Sequence, residues 1–214
     1  MKVLGIDEAG RGALVGPLVI GGFMTTESKI SELKDKGVKD SKDLTPAKRS
    51  ELDSWLRNQG EFKTIHISPK EIDMKNKVGV NLNRLEINNM IKIIKSLRPD
   101  KVFIDCPSHN EARIKALFEA RVDCEVVCEC KADAKYPIVG AGSILAKHER
   151  DQSIKVLEKE LDTIIGAGYP SDDRTIEFCR KALNNVEWLA HVRRTWDTYS
   201  RIKSESEQRS LNDF

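Results

Sequence analysis

Val3-Leu4-Gly5-Ile6-Asp7-Glu8-Ala9-Gly10-Arg11-Gly12 is a short apolar strand that ends in two adjacent carboxylates and runs into a glycine-rich turn. Adjacent acids at the end of an apolar strand are costly if dry and uncompensated, so they are either solvated or bound to a cation. Taken alone, the stretch reads either as a charged turn or as one edge of a metal site. The arrangement recurs, however: Val102-Phe103-Ile104 ends in Asp105, and a strand through Cys130 leads into Lys131-Ala132-Asp133. If the three strands are neighbours, Asp7, Glu8, Asp105 and Asp133 converge as hard oxygen ligands suited to Mg²⁺ or Mn²⁺ and poorly suited to zinc. Such a cup fits two-metal phosphodiester chemistry. Strict alternation puts Asp7 and Glu8 on opposite faces of the strand, so both reach one site only if the chain turns there. Gly10 and Gly12 permit that turn.

Other readings of the same residues fail. Gly5 and Gly10 have the gap of a G-x4-G-K-[ST] phosphate loop, but Arg11-Gly12 replaces its Lys-Ser/Thr and two carboxylates inside the loop would repel phosphate. Leu14-Val15 stands where a dinucleotide fingerprint needs its third glycine. Cys124, Cys128 and Cys130 lie close together, with His109 and His148 not far away, yet the paired knuckles of structural zinc sites are missing. Cys124, Val126, Cys128 and Cys130 alternate instead with Glu125, Val127 and Glu129, the pattern of a half-buried strand. Five cysteines, an odd number at irregular spacing, argue against a disulfide framework.

Composition narrows the class. Thirty-six Lys and Arg against 34 Asp and Glu leave +2, so any polyanion must be held by a local patch. Charged residues at 33% and hydrophobic ones at 39% of 214 residues suit a soluble globular protein. The longest charge-free stretch, residues 12–26, is too short for a membrane helix and is broken by Gly16, Pro17, Gly21 and Gly22. Asp7, Glu8 and Arg11 interrupt any secretory signal. A cytoplasmic location without a membrane partner is expected.

Residues 17–24 read as a second strand that completes an opening hairpin. Residues 46–58 form a helix behind a Thr45 cap, with Leu52, Trp55 and Leu56 at helical spacing. An alternating strand over 62–67 leads to a helix over 81–97, stopped by Pro99. A strand over 101–105, a helix over 110–120 and a strand over 123–130 follow. The long helix over 138–162 begins with Gly140, Ala141, Gly142, Ser143 and Ala146, small residues that let its backbone approach a sheet closely. Helices over 175–183 and 188–203 precede a polar tail, 204–214, read as mobile. Strands grouped early and alternating with helices later predict an α/β fold, a mixed β-sheet flanked by helices. Residues 1–203 are read as one domain, whose C-terminal helical region covers about 165–203.

Several fragments, taken in order, resemble one known family, the type 2 ribonucleases H (ribonuclease HII), and more narrowly its archaeal branch. Gly5-Ile6-Asp7-Glu8-Ala9-Gly10-Arg11-Gly12 is similar to the family's opening signature, Asp40-Ser41-Lys42-Asp43-Leu44-Thr45 to its D-S-K-x-L-T element, and Ile104-Asp105 to its third-acid strand. Lys131-Ala132-Asp133-Ala134-Lys135-Tyr136, Ala141-Gly142-Ser143-Ile144-Leu145-Ala146-Lys147 and Gly168-Tyr169-Pro170-Ser171-Asp172 follow in the family's order. Each fragment is weak alone; the ordered set is specific. Arg11 and a first strand starting at residue 3 favour type 2 over the type 3 enzymes. Gly140, Gly142 and His148-Glu149 depart from the usual pattern.

The resemblance implies an RNase H-like fold and an endoribonuclease that hydrolyses the RNA strand of RNA–DNA hybrids. It also implies incision 5′ of ribonucleotides embedded in duplex DNA, leaving 5′-phosphate and 3′-hydroxyl ends, in DNA repair and replication; a monomer is expected. Asp7 would bridge two Mg²⁺ or Mn²⁺ ions, with Glu8, Asp105 and Asp133 completing their shells. The Gly10-Arg11-Gly12 backbone resembles a sensor of the 2′-hydroxyl; otherwise it is only a tight turn. Ser41 and Lys42 match a phosphate-contacting element or form a solvated loop, and Tyr169 packs on a sugar or caps a loop core. Arg193, Arg194, Arg201 and Lys203, near Trp196 and Tyr199, are a nucleic-acid-binding face or a solvated one. Gln208, Leu211 and Phe214 resemble the Q-x-x-[LIM]-x-x-F pattern that docks on the sliding clamp PCNA; otherwise the end is disordered or packs back on the helices. Two rivals stand beside this: a DNA-only junction resolvase, separated by ribose dependence, and a non-catalytic adaptor, separated by metal-dependent turnover.

Overall fold

The structure, a computed structural model, describes residues 1–38 and 41–212, with side chains described as far as Gln208. The elements are β1 (Lys2–Ala9), β2 (Leu18–Thr26), α1 (Ile30–Asp35), α2 (Pro46–Leu56), β3 (Glu61–Ile67), α3 (Pro69–Lys77), α4 (Leu82–Leu97), β4 (Lys101–Asp105), α5 (Glu111–Glu119), β5 (Glu125–Glu129), α6 (Ala132–Lys135), α7 (Pro137–Glu160), α8 (Asp173–Ala182), α9 (Val186–Leu189) and α10 (Asp197–Asn212). The sequence reading takes residues 1–203 as one domain; packing divides the chain into two compact units.

The first unit comprises residues 1–9, 19–66 and 82–149. Its sheet runs β3-β2-β1-β4-β5, with β1 antiparallel to β2 and parallel to β4, and β4 parallel to β5. This is the mixed α/β arrangement expected. Because β1 lies at the centre, Val3 to Ile6 are buried without a break, and a strand covered on both faces loses its alternation. Thr45 caps α2, its Oγ1 accepting from the Lys48 amide at 3.2 Å, and Pro46 fills the first helical position.

The small-residue run in α7 serves close packing. A Cβ on Gly142 would come within 2.9 Å of the carbonyl oxygens of both Gly5 and Gly21, and one on Gly5 would overlap the Ile138 carbonyl. The helix therefore lies with its backbone against β1 and β2, which explains glycine at position 142. Around this contact Val3, Phe23, Leu52, Leu56, Val139, Ile144 and Leu145 form the unit's core. The departure at His148-Glu149 has a role in this unit too. Glu149 accepts from Arg57 at 2.6 Å and lies 3.4 Å from His66. Arg57 also grips the buried Asp53 through two hydrogen bonds of 2.8 and 3.1 Å, and His148 lies 3.7 Å from Asp53. The pair joins α7 to α2.

The second unit comprises residues 10–18, 67–81 and the chain from Arg150. Leu14, Val15, Ile154, Ile165, Phe178, Val192 and Ile202 are buried together, and Phe178 stacks on Trp188 with ring centroids 5.3 Å apart. Three local expectations change here. The helix read over 188–203 is two, α9 and α10, because the intervening Arg193 turns inward. Its side chain is fully buried, with Nη1 donating to the Arg11 carbonyl at 2.9 Å and Nε and Nη2 to the Gly16 carbonyl at 3.3 and 3.2 Å. Residues 204–212, read as a mobile tail, continue α10, supported by i,i+4 pairs of 3.8 Å between Arg201 and Glu205 and between Lys203 and Glu207. The sequence reading also omits α3, capped by Ser68 and started by Pro69. Its buried Asp73 accepts from the amides of Arg194 and Thr195 and from the Thr195 hydroxyl. Among the described residues no helix is long and apolar enough to cross a membrane.

Candidate active site

Register brings the acids together. On the parallel strands β1 and β4, Ile6 pairs with Ile104, so Asp7 and Asp105 are the next residues on adjacent strands. Carboxylate oxygens of Asp7, Glu8 and Asp105 lie within 4.8 Å of one another. The turn expected at Asp7-Glu8 does not occur, since β1 stays paired with β2 through Ala9 and Val19. The carboxylate of Asp7 instead folds back along its own strand to accept from the Glu8 amide at 2.7 Å. Both acids thus reach one site without a bend in the backbone.

Asp133 lies outside that three-way convergence but belongs to the same electrostatic neighbourhood. Lys131 adopts left-handed backbone geometry (φ 58°) and starts α6, which carries Asp133. Two contacts tie this corner together: Asp105 accepts from the Ala132 amide at 2.8 Å, and Lys42 Nζ lies 3.8 Å from Asp133 Oδ2. Burial first, then the like charges of Glu8 and Asp105, hold the Asp7 carboxyl well above the usual carboxylate range, with Asp133 adding to the effect. Burial likewise raises Asp105, against the opposing hydrogen bond from Ala132. Four acids in one corner make a strong cation trap. The donors are all oxygen, the chemistry that Mg²⁺ or Mn²⁺ prefers. A zinc reading of the cysteines gains no support: among the described residues the acid trio is the group close enough to hold a cation, and the five cysteines are free.

Ser143, which the sequence reading assigns only to packing, belongs to this site. It is 2% exposed, hydrogen-bonds the Asp7 side chain and shares a 2.8 Å hydrogen bond with the Ser41 hydroxyl. Ser41 is itself 3% exposed, and its carbonyl accepts from Arg49. The hydroxyl matched to a phosphate contact therefore points inward, supporting Ser143. Lys42, with a side chain 78% exposed, is the member of that pair open to solvent. Asp40, from the same motif, lies outside the described residues.

Gly10, Arg11, Gly12 and Tyr169 belong to the second unit. Gly10 has φ 86° and is buried, whereas Gly12 is exposed, has no positive φ, and a Cβ there would meet nothing within 4 Å among the described residues. Tyr169 is half-buried with its ring 5.0 Å from the Arg150 guanidinium. Arg193 is not part of a solvated basic face, because its guanidinium is used inside the protein; Arg194 lies 3.7 Å from Asp73. Gln208 is exposed on α10, while the side chain of Leu211 and all of Phe214 lie outside the described residues.

A mixed sheet with this order, carrying acids at adjoining strand ends and backed by a close-packed helix, defines a nuclease of the ribonuclease H class. The family model for ribonuclease HII matches residues 4–199. Ribonuclease HII of Methanosphaera stadtmanae is 41% identical over 96% of this chain and 97% of its own length. The crystal structure of ribonuclease H2 from Pyrococcus horikoshii superposes with a TM-score of 0.87 at 40% identity, covering 96% of this chain and 98% of that one. The RNase HII from Archaeoglobus fulgidus, solved as a PCNA:RNase HII complex, gives 0.85 at 34% identity over 92% of this chain and 96% of its own. The chain belongs to the ribonuclease HII family, and is a metal-dependent ribonuclease H acting on RNA–DNA hybrids.

Proposed function

We propose that this enzyme cuts the RNA strand of hybrids and also incises 5′ of single ribonucleotides in duplex DNA, serving DNA repair and replication. The observation that carries the proposal is the convergence of Asp7, Glu8 and Asp105 beside Asp133. Asp7 and Glu8 lead within one residue into the Gly10-Arg11-Gly12 turn proposed to sense the 2′-hydroxyl. A bound pair of Mg²⁺ or Mn²⁺ ions would supply nucleophile activation and charge neutralisation at the departing 3′-oxygen. Asp7 would hold both ions, with Glu8, Asp105 and Asp133 as their further ligands. Ser143 orients the Asp7 carboxylate, and Lys42 presents a cation to a phosphate of the substrate. Gly12, with no internal demand for glycine, leaves room for a sugar to approach the backbone. The 2′-hydroxyl is the group by which RNA is told from DNA at that point. The test is end analysis of products from a labelled hybrid and from a duplex with one ribonucleotide. 5′-Phosphate and 3′-hydroxyl ends are expected, and 2′,3′-cyclic phosphate would refute the mechanism.

Tyr169 is proposed to pack on the sugar at the cut. Tyr169→Ala should slow cleavage at a lone ribonucleotide by about tenfold or more, in the range a lost stacking contact allows, while leaving Mn²⁺ affinity unchanged in calorimetry. Unchanged rates on both substrates would make the ring purely structural.

Clamp binding through Gln208, Leu211 and Phe214 is the third part of the proposal, supported by the relative solved with PCNA. Short apolar anchors presented from a helical turn suit a hydrophobic groove. Removal of residues 208–214 should abolish clamp binding in titration calorimetry and leave clamp-free cleavage at its original rate. Equal clamp affinity of the full and shortened chains would exclude the motif.

A further inference from the structure

Arg150 is fully buried in α7, a costly place for a cation, and its hydrogen bonds go to main-chain carbonyls. Its Nη2 donates to the carbonyls of Val15 at 3.3 Å and Ala167 at 3.2 Å, and its guanidinium lies 5.0 Å from the ring of Tyr169. Among the described residues Nε and Nη1 are buried with no hydrogen-bond partner, so the arrangement is not the one that stability alone would select.

Three glycines with positive φ close around this side chain: Gly10 at 86°, Gly16 at 83° and Gly168 at 79°. A Cβ on Gly10 would stand 2.5 Å from Arg150 Cδ, one on Gly16 would stand 3.2 Å from Nη1, and one on Gly168 would stand 2.6 Å from Nη2. The turn that carries Gly10-Arg11-Gly12 and the loop that carries Tyr169 are therefore moulded on a single guanidinium. They also meet directly, because the Gly168 carbonyl accepts from the amides of Leu14 and Val15 at 2.8 and 3.1 Å. All of these residues belong to the second unit.

We propose that Arg150 is a positioning residue for ribose recognition, locking the Gly10-Arg11-Gly12 turn and the Tyr169 ring into one geometry. The inference rests on the reading of those two elements as the sugar-recognising parts of the enzyme. A guanidinium reaches both carbonyls and lays a planar face against the ring; a lysine keeps the charge but is shorter and has no such face. Arg150 touches no reacting atom. Its contribution is to substrate binding.

The test uses the full chain and a DNA duplex with one ribonucleotide. Arg150→Lys should raise KM about tenfold while kcat changes less than about threefold, with the melting temperature nearly retained. Because the lysine variant and Tyr169→Ala would disable the same device, the double variant should be no worse than Tyr169→Ala alone. Unchanged KM in the lysine variant, or losses that multiply in the double variant, would overturn the proposal. Should Arg150→Lys fail to fold, amide hydrogen exchange in Tyr169→Leu gives an independent reading. The amide of Ala13, bonded to the Gly10 carbonyl at 3.2 Å, should exchange faster if ring and turn are held as one body. Unchanged exchange there would overturn it. A wild-type enzyme with no preference for the ribonucleotide duplex over all-DNA would instead remove the underlying reading of the turn and ring. A wild-type preference with an unaffected lysine variant would remove only the role of Arg150.

Discussion

Asp7→Asn should abolish cleavage while raising the melting temperature of the metal-free protein. Asp7 is 4% exposed and crowded by Glu8, Asp105 and Asp133, so its carboxyl is held well above the usual range. An amide keeps the shape and can still accept from the Glu8 amide, but it cannot bring negative charge to a cation shared with its neighbours. Loss of several kcal/mol of transition-state charge stabilisation lowers kcat by roughly a thousandfold or more. The stability effect follows from the same crowding. A carboxyl whose folded pKa is raised binds more protons folded than unfolded, so it weakens the fold progressively as pH rises through and above the ordinary carboxylate range. The wild type without divalent cation should thus melt lower at pH 8 than its asparagine variant, and the gap should close toward pH 4. Scanning calorimetry in chelator reads both. An unchanged cleavage rate would remove Asp7 from the catalytic site, and a lower melting temperature at pH 8 would contradict the crowding.

Gly5→Ala should cause the largest loss of stability among single changes in β1. The added methyl group falls on the carbonyl of Ile138, backbone that cannot swing aside as a flexible side chain can. Overpacking typically costs about 1–3 kcal/mol and here belongs at or above the upper end. For a chain of this size about 3 kcal/mol lowers the melting temperature by roughly 6–12 °C. If the methyl is accommodated by lifting α7 from the sheet, Ser143 moves away from Asp7, so catalytic rate should fall together with stability. A variant that melts within about 2 °C of wild type, less than about 1 kcal/mol of destabilisation, would show that the close approach of helix and sheet is not needed.

The elements that carry the chemistry are legible in the sequence because their signals are local. Asp7, Asp105 and Asp133 announce themselves as acids at strand ends, Thr45 as a cap, and Gly142 with Ser143 as part of a close-packing helix face. Signals that depend on distant partners are not legible. Arg193 looks like one of several surface cations, yet the Arg11 and Gly16 carbonyls draw it inside and split the expected helix into α9 and α10. Ser41 resembles a phosphate contact, and only the folded chain shows its hydroxyl committed to Ser143. Ser143 itself is read as a packing residue until Asp7 is placed beside it. Two local signals are readable as well: Ser68-Pro69 marks the start of α3, and Arg201–Glu205 with Lys203–Glu207 marks a helix that continues past residue 203. Side-chain alternation predicts a bend at Asp7-Glu8 because it takes no account of a carboxylate turning to its neighbour's amide.

Ribonucleotide-specific cleavage requires one chain to join an acid cluster that needs a cation to a turn that needs ribose. Single-turnover cleavage of a labelled duplex containing one ribonucleotide, with metal-depleted enzyme and increasing Mg²⁺, tests both requirements together. The prediction is no cleavage in chelator, a single cut 5′ of the ribonucleotide once Mg²⁺ is added, and an intact all-DNA control at every concentration. Cleavage in chelator, or cutting of the all-DNA duplex, would contradict the account.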